Sequence, residues 1–239
     1  MSKKVIILVD GQNLYYSLRD MSLLERDVKW DMLFKSILEQ DDELARTYWF
    51  RPERIHDSYY TYANIKNTII AKQFPTYKGK EWSSIPYNII SQVDSSVTEA
   101  QRWLRTEKER FASIQHSYDQ LPLEFGDIEF VKTGHIRVNP YKQEYGGEKG
   151  VDIALAVKMV GMSAAKKCDK IILFSGDFDY AEAIKYAKNE MVKVHIVKMH
   201  QGEPPQNRSM SKELSVLADK VIDVYESVIK SKFLKPPHP

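Results

Sequence analysis

The distribution of apolar residues along the chain predicts a parallel α/β fold. Two short runs, residues 5–9 (VIILV) and 170–174 (KIILF), are almost wholly apolar, which is typical of strands buried on both faces of a parallel sheet. Residues 192–197 (VKVHIV) predict a further strand. Apolar residues at helical spacing predict helices over residues 12–20, 151–165, 180–190 and 211–219. Because strands alternate with helices, we expect a three-layer α/β/α sandwich with a mainly parallel central sheet.

Other segments complete the predicted order of elements. A helix is predicted to begin at Trp30, and the alternating, tyrosine-rich residues 54–63 (RIHDSYYTYA) predict a second strand. Residues 128–138 predict one strand or a bent pair, and residues 220–224 a last short strand. The polar, glycine-bearing residues 139–150 (NPYKQEYGGEKG) predict a loop.

Residues 64–125 differ in character and are predicted to form an insertion made of a loop and a long helix. A stripe of apolar residues from Val97 to Tyr118 predicts the helix, and its other face carries mixed charges. Such a face is usually solvated. The alternatives are a lid or arm that guides a nucleic acid and a dimerisation helix, the latter making a homodimer one partner to consider. We expect a single domain over residues 1–225, followed by a helix end and a disordered tail over residues 226–239.

Composition excludes several classes of protein. The 239 residues carry 35 Lys and Arg against 33 Asp and Glu, a net charge of +2, so overall charge predicts no particular partner. The single Cys168 excludes an intramolecular disulfide and a cysteine-built zinc site. No apolar run reaches the length of about 18 residues that a membrane span needs, so we expect no membrane partner. The initial MSKK leads directly into a strand, so we expect no signal peptide and a cytoplasmic location.

Acidic residues follow two of the predicted strands. Asp10 follows the first strand directly, and Asp177 and Asp179 follow the run KIILF after Ser-Gly. Asp152 lies in the first turn of a predicted helix, and Asn13 comes three residues after the first acid. Because ligands bind outside the carboxyl ends of strands in such sheets, we expect these side chains to meet in one cleft.

Each acid taken alone has a simpler explanation, since an Asp after a strand is more often a helix N-cap or a turn residue. The agreement of three separate segments favours a site. Carboxylates that converge repel one another unless they are protonated, paired with Lys or Arg, or neutralised by a divalent cation. Mg²⁺ and Mn²⁺ prefer carboxylate and water oxygens and bridge to phosphates, so a site for one of these cations is the functional interpretation.

Three motifs together resemble the NYN domain family, a branch of the PIN-like metal-dependent ribonucleases. They are VDGQNL at 9–14, EKGVDIALAV at 148–157 and ILFSGDFDYAEAIKYAKNEMVKVHIV at 172–197, with a weaker likeness at 211–224. The resemblance covers about residues 1–62 and 128–225. It implies a three-layer α/β/α fold and an acidic Mg²⁺ or Mn²⁺ site that hydrolyses RNA phosphodiester bonds.

The resemblance also implies roles for individual residues. Asp10, Asp152 and Asp177 match the metal-site acids, Asp179 matches a supporting acid, and Asn13 matches the amide that follows the first acid. The chain departs from the pattern at Lys158, where the family frequently has another acid. If this lysine faces the cleft, it reduces the acidity there and favours a single metal or weak metal binding.

The expected partner is RNA, and four residues are candidates for contacting it. Lys149, Arg137 and Lys142 would contact phosphates, and Tyr15 would stack on an unpaired base, although each is more often simply solvated or packed. Two other functions compete. One is a catalytically weakened module on the same fold that binds RNA or a protein. The other is a phosphatase with an aspartyl nucleophile, which Gln12 disfavours because a second Asp is expected there.

Overall fold

The computed structural model describes residues 2–124, 126–206 and 211–236, with residues 121–124 described by their backbone alone. Its residues divide into two compact units. The larger unit contains residues 1–51, 119–133 and 150–239, and the smaller unit contains residues 52–118 and 134–149. Of the expected tail, residues 237–239 lie outside the described part of the chain.

The larger unit is built on a six-stranded sheet in which every neighbouring pair is parallel. In chain order its strands are β1 (Lys3–Asp10), β2 (Asp42–Arg51), β4 (Ile128–Lys132), β7 (Lys170–Phe174), β8 (Lys193–His200) and β9 (Lys220–Tyr225). The spatial order is β4-β2-β1-β7-β8-β9. The chain therefore builds one half of the sheet outward from β1 and later returns to build the other half from β7.

Helices cover both faces of this sheet. They are α1 (Gly11–Asp20), α2 (Trp30–Ser36), α5 (Val151–Ala164), α6 (Ala181–Asn189), α7 (Lys212–Leu217) and α8 (Glu226–Val228), the last continuing into a helical turn over Ile229–Phe233. Val5, Ile7 and Val9 of β1 pack with α1, α2 and the C-terminal turns, whereas Ile6 and Leu8 pack with α5, α6 and α7. The predicted three-layer α/β/α sandwich with a parallel sheet is confirmed.

One strand of this sheet, β2, was not predicted. Its first half is charged and largely accessible, and only its second half, which contains the apolar residues Tyr48, Trp49 and Phe50, is buried. The strand predicted over residues 54–63 is wrong, because only Arg54–His56 is extended there. Thr61 then caps a helix that begins at Tyr62, accepting a hydrogen bond from the backbone N–H of Asn64.

The smaller unit combines two helices with a three-stranded sheet. Its elements are α3 (Tyr62–Gln73), α4 (Tyr87–Glu124, whose residues from 119 onward belong to the larger unit), β3 (Arg54–His56), β5 (His135–Asn139) and β6 (Glu144–Lys149). The strand order is β3-β5-β6, and α3 and α4 share an apolar cluster that includes Ile65, Ile69, Val93 and Val97. The loop predicted over residues 139–150 is therefore wrong in part, because residues 144–149 form β6. Within the described residues no helix is long and apolar enough to cross a membrane.

Candidate metal site at the carboxyl edge of the larger sheet

The candidate site lies where the two halves of the larger sheet meet. β1 and β7 are parallel neighbours, with Val9 in register with Phe174, so Asp10 and Ser175 leave the sheet side by side. The chain adds strands outward from β1 on one side and outward from β7 on the other, and such a switch point in strand order leaves a crevice at the carboxyl ends of the strands.

Asp10 is both a helix cap and the centre of this site. Its Oδ1 accepts hydrogen bonds from the backbone N–H groups of Gln12 at 3.1 Å and Asn13 at 3.0 Å, which caps α1. Its Oδ2 accepts from the Ser175 hydroxyl at 2.9 Å and the Tyr180 hydroxyl at 3.1 Å. The residue is only 3% exposed. The capping explanation is thus correct for one oxygen and incomplete for the other.

Asp152 reaches the same point from the first turn of α5. Its Oδ1 lies 3.3 Å from the Tyr180 hydroxyl oxygen, which also lies 3.1 Å from Asp10 Oδ2. A hydroxyl group has one hydrogen to donate, so Tyr180 can satisfy only one of the two carboxylates at a time. The larger unit therefore holds two acids from distant segments against one shared donor.

Asp177 and Asp179 lie in the turn that follows β7. The Asp177 carboxylate accepts a hydrogen bond from the Asp179 backbone N–H at 3.0 Å, which starts the short helical turn Phe178–Tyr180. The Asp177 backbone N–H in turn donates to the Ser175 hydroxyl oxygen at 3.2 Å. This turn fixes the direction of Tyr180, whose buried hydroxyl then reaches the two other acids.

Asn13 connects α1 to the same turn. Its side-chain Oδ1 accepts a hydrogen bond from the Gly176 backbone N–H at 3.2 Å. The sequence predicts that Asn13 orients a carboxylate or a metal-bound water. In the structure it binds backbone instead, and so holds the turn that carries Asp177 beside the end of β1.

Burial and mutual repulsion perturb the acids. Burial raises the pKa of Asp10 above its ordinary value, and the charge of Asp177 raises it further, against the lowering effect of its hydrogen bonds. Burial also raises the pKa of Asp152, followed by the charges of Asp10 and Asp177. None of the four acids forms an ion pair with a described residue. No cation of the described part of the chain therefore neutralises the cluster.

The donor set suits a hard cation, although the carboxylates do not already surround a common point. Among the described residues, no three His, Cys, Asp or Glu side chains stand in a metal-binding arrangement. The available ligands are all carboxylate and hydroxyl oxygens, which is the chemistry that Mg²⁺ and Mn²⁺ prefer. The residues present thus fit such an ion by charge and by donor type.

Lys158 does not neutralise the cluster. Its Nζ lies 3.8 Å from the centroid of the Tyr48 ring, in a cation–π contact above β2. Lys158 comes six positions after Asp152, which places it about 9 Å further along the axis of α5. Because Tyr48 is in register with Leu8, this contact lies over the sheet at a level two residues before Asp10.

The four predicted substrate-contacting residues do not belong to one unit. Tyr15 lies on α1 of the larger unit and is 48% exposed, and its neighbour Tyr16 is exposed as well, so neither ring is buried against the sheet. Arg137 and Lys149 lie on β5 and β6 of the smaller unit, and Lys142 lies in the exposed turn between those strands.

Two members of the site, Ser175 and Tyr180, were not predicted as functional residues. Ser175 carried a signal, because it follows a buried strand just as Asp10 does. Tyr180 carried none. Its direction depends on the helical turn set by Asp177, and a tyrosine at the start of an amphipathic helix is ordinarily a core residue.

Comparisons with known proteins agree with the geometry. The family model described as NYN domain matches residues 105–227. An uncharacterized protein of Sinorhizobium fredii (strain NBRC 101917 / NGR234), y4oD, is 24% identical over 89 residues, which are 37% of this chain. The matched region spans 39% of that relative's length. No solved structure matches the chain.

Proposed function

Because the chain belongs to the NYN domain family, we propose that it is a metal-dependent endoribonuclease that hydrolyses RNA phosphodiester bonds at the acidic cluster. One observation supports this proposal above the others. Asp10 and Asp152, from segments far apart in the chain, meet at the Tyr180 hydroxyl with Asp177 close enough to raise the pKa of both. Acids held close together with no cation among the described residues repel one another and lower stability, and a bound cation would offset that repulsion.

We assign the cofactor as Mg²⁺ or Mn²⁺. When bound, such an ion lowers the pKa of a water and neutralises charge on the phosphate. Asp152 and Asp177 are the direct ligands in this proposal, since each has a carboxylate oxygen with no hydrogen bond to a described residue. Asp179, exposed beside them, is the supporting acid.

Asp10 has a different role, because its carboxylate already accepts four hydrogen bonds. Two carboxylate oxygens offer about four lone-pair positions, so direct ligation by Asp10 would require the Tyr180 hydroxyl to withdraw. We propose that Asp10 positions the site through Ser175 and Tyr180 and becomes a ligand only when that bond is lost. Asn13 keeps the Gly176 backbone, and with it Asp177, in place.

The test is cleavage of single-stranded RNA by the pure protein with Mn²⁺, with chelator as the blank. Asp152→Asn and Asp177→Asn should each lower the rate about a hundredfold or more, which is at least what the loss of a residue supporting a metal ligand costs. Asp31→Asn is the matched control, since Asp31 is an acid of α2 in the same unit that pairs with Lys35 at its surface. Absence of Mn²⁺-dependent cleavage in the wild type, or equal loss in the control, would contradict the proposal.

The complete set of hydrogen bonds at Asp10 also favours a second candidate, in which the acids are structural and the chain is a module that binds RNA. This candidate predicts no cleavage, and unchanged RNA affinity in Asp152→Asn and Asp177→Asn. Measurements of RNA cleavage and RNA affinity on the same protein preparations decide between the two functions. A cytoplasmic location and a homodimer stay predictions.

A further inference from the structure

One face of the three-stranded sheet in the smaller unit carries five basic side chains. They are Arg54 and His56 of β3, His135 and Arg137 of β5, and Lys149 of β6, and we refer to them as the basic face. Arg137 and Lys149 are among the residues predicted to contact a substrate.

Strand register places these residues on one side of the sheet. Arg54 is in register with His135, which pairs in turn with Lys149, and His56 is in register with Arg137. Residues two apart on a strand share a face. Ile55, between the two basic residues of β3, is 5% exposed and packs in a cluster with Leu104 of α4. The sheet thus has one face on α4 and one basic face.

A bulge in β6 is what brings Lys149 to the basic face. The register shifts between Ile136 and Val138, so that Gly146 and Gly147 together stand opposite Arg137. A Cβ at Gly146 would lie 3.1 Å from Arg137 Cβ, and Gly147 has a φ of +82°, which favours glycine. Because of the bulge, Tyr145 and Lys149 face opposite sides of the sheet, although they are four positions apart in β6. Tyr145 therefore reaches Trp103 of α4, with 6.1 Å between ring centroids, while Lys149 is exposed.

The positive charge of the basic face is not compensated. None of its five residues forms an ion pair with an acid among the described residues. The rings of His56 and His135 have centroids 4.7 Å apart. Partial burial lowers the pKa of His135, and the charges of His56, Arg54, Lys149 and Arg137 lower it further. Like charges gathered on one surface repel one another, and a polyanion relieves that repulsion.

We propose that the basic face binds the phosphate backbone of single-stranded RNA. The identity of the ligand rests on the proposed action on RNA, and the binding itself rests on charge complementarity. The three strands have only 3, 5 and 6 residues. This area suits a few nucleotides of one strand, whereas protein modules for double-stranded RNA span about 16 base pairs.

The test measures binding of a fluorescent oligouridine to the full chain in EDTA, so that metal-dependent cleavage does not contribute. Arg54→Ser with Arg137→Ser should weaken binding about tenfold or more at low salt. It should also make the dependence of log affinity on log salt less steep by about 1.4, since each single-strand phosphate contact contributes about 0.7. Arg102→Ser with Arg105→Ser, on the exposed surface of α4 in the same unit, is the control of equal charge.

Lys149→Gln, a single exposed change, is a second variant that should weaken binding and lower the salt slope by about half as much. No RNA binding by the wild type, equal weakening in the control, or unchanged binding in both basic-face variants would overturn the inference. If the wild type cleaves RNA and these variants bind RNA unchanged, only the proposal that the basic face binds RNA is contradicted. If the variants lose RNA binding and the wild type does not cleave, only the proposed nuclease activity is contradicted.

Discussion

At the scale of single residues, Asp10 is a helix cap and also a member of the candidate site, so the two explanations do not exclude each other. One oxygen caps α1, and the other accepts the hydroxyls of Ser175 and Tyr180. The cap fixes the carboxylate in direction, and a fixed carboxylate is what a preorganised site requires. The sequence predicted this residue because both roles place an Asp at the end of a strand.

Tyr180→Phe tests the shared donor. Loss of the hydroxyl removes a hydrogen bond from a buried carboxylate, so the metal-free protein should lose about 1–3 kcal/mol of stability. The same change frees Asp10 Oδ2 to approach a cation, so the rise in melting temperature on adding Mn²⁺ should be larger than in the wild type.

The control for this change is Tyr186→Phe, at a partly exposed position on α6, which should alter neither quantity. A Mn²⁺-induced rise that is the same in Tyr180→Phe as in the wild type would show that the hydroxyl does not compete with the metal.

At the scale of elements, the close approach of α1 to β2 holds Asp10 at the sheet edge. A Cβ at Gly11 would lie 2.5 Å from the Phe50 carbonyl oxygen and 3.0 Å from Arg51 Cγ. Arg51 is itself buried and paired with Glu25, so neither neighbour can move freely. The glycine after Asp10 is thus needed for contact between elements.

Gly11→Ala should therefore lower stability by about 1–3 kcal/mol, as overpacking of a filled site does. Gly161→Ala is the matched control, because a Cβ there meets nothing within 4 Å and the residue lies inside α5. That substitution should raise stability by about 0.5–1 kcal/mol. Thermal unfolding of both variants measures the difference in their stability. A loss of stability of the same size in both would contradict the need for glycine at position 11.

The elements that the sequence predicted correctly are those whose composition matches their surroundings. β1 and β7 are buried on both faces and appear in the sequence as almost wholly apolar runs. β2 was missed because its first half is charged; Asp42 lies there and pairs with the buried Lys170. β6 was missed because its glycines serve a bulge, which in sequence is indistinguishable from a loop. Its pairing depends on a distant strand, and local pattern does not contain that information.

At the scale of the whole molecule, the acids at the amino ends of the strands in the larger sheet have different partners from the acids at the carboxyl ends. At the amino edge Lys170 is wholly buried, with its Nζ 2.6 Å from a Glu39 carboxylate oxygen and 2.7 Å from Asp42, and Lys220 also pairs with Glu39. At the carboxyl edge Asp10 and Asp152 have no such cation among the described residues. This contrast within one sheet is the strongest physical reason to regard the carboxyl edge as functional.

The amino edge gives a prediction about pH. Hydrogen bonds from Lys170 and then Lys220 lower the pKa of Glu39 from 4.5 to about 2. A carboxylate with a lowered pKa contributes stability that is complete above about 4.5 and is lost as the pH falls towards 2. Glu39→Gln should therefore melt below the wild type at neutral pH, and the difference should vanish across this acid range.

Glu213→Gln, an exposed glutamate of α7, is the control and should follow the wild type throughout. Melting curves of Glu39→Gln that run parallel to those of the wild type down to acid pH would contradict the assigned network.

The sequence predicts that Asp10 and Asp177 lie at one sheet edge, because parallel topology alone brings strand ends together. The sequence did not show where the Lys158 side chain lies, because that depends on the rotation of α5 about its axis. It also did not show the basic face, because that depends on pairing between β3, β5 and β6. Both follow from contacts between segments far apart in the chain.

Anomalous diffraction from crystals of the full chain soaked in Mn²⁺ shows whether the acidic cluster binds a divalent cation. We expect one or more manganese peaks in contact with the carboxylates of Asp152 and Asp177, absent in crystals of Asp152→Asn. Crystals that show no manganese at these carboxylates would contradict cation binding by the cluster.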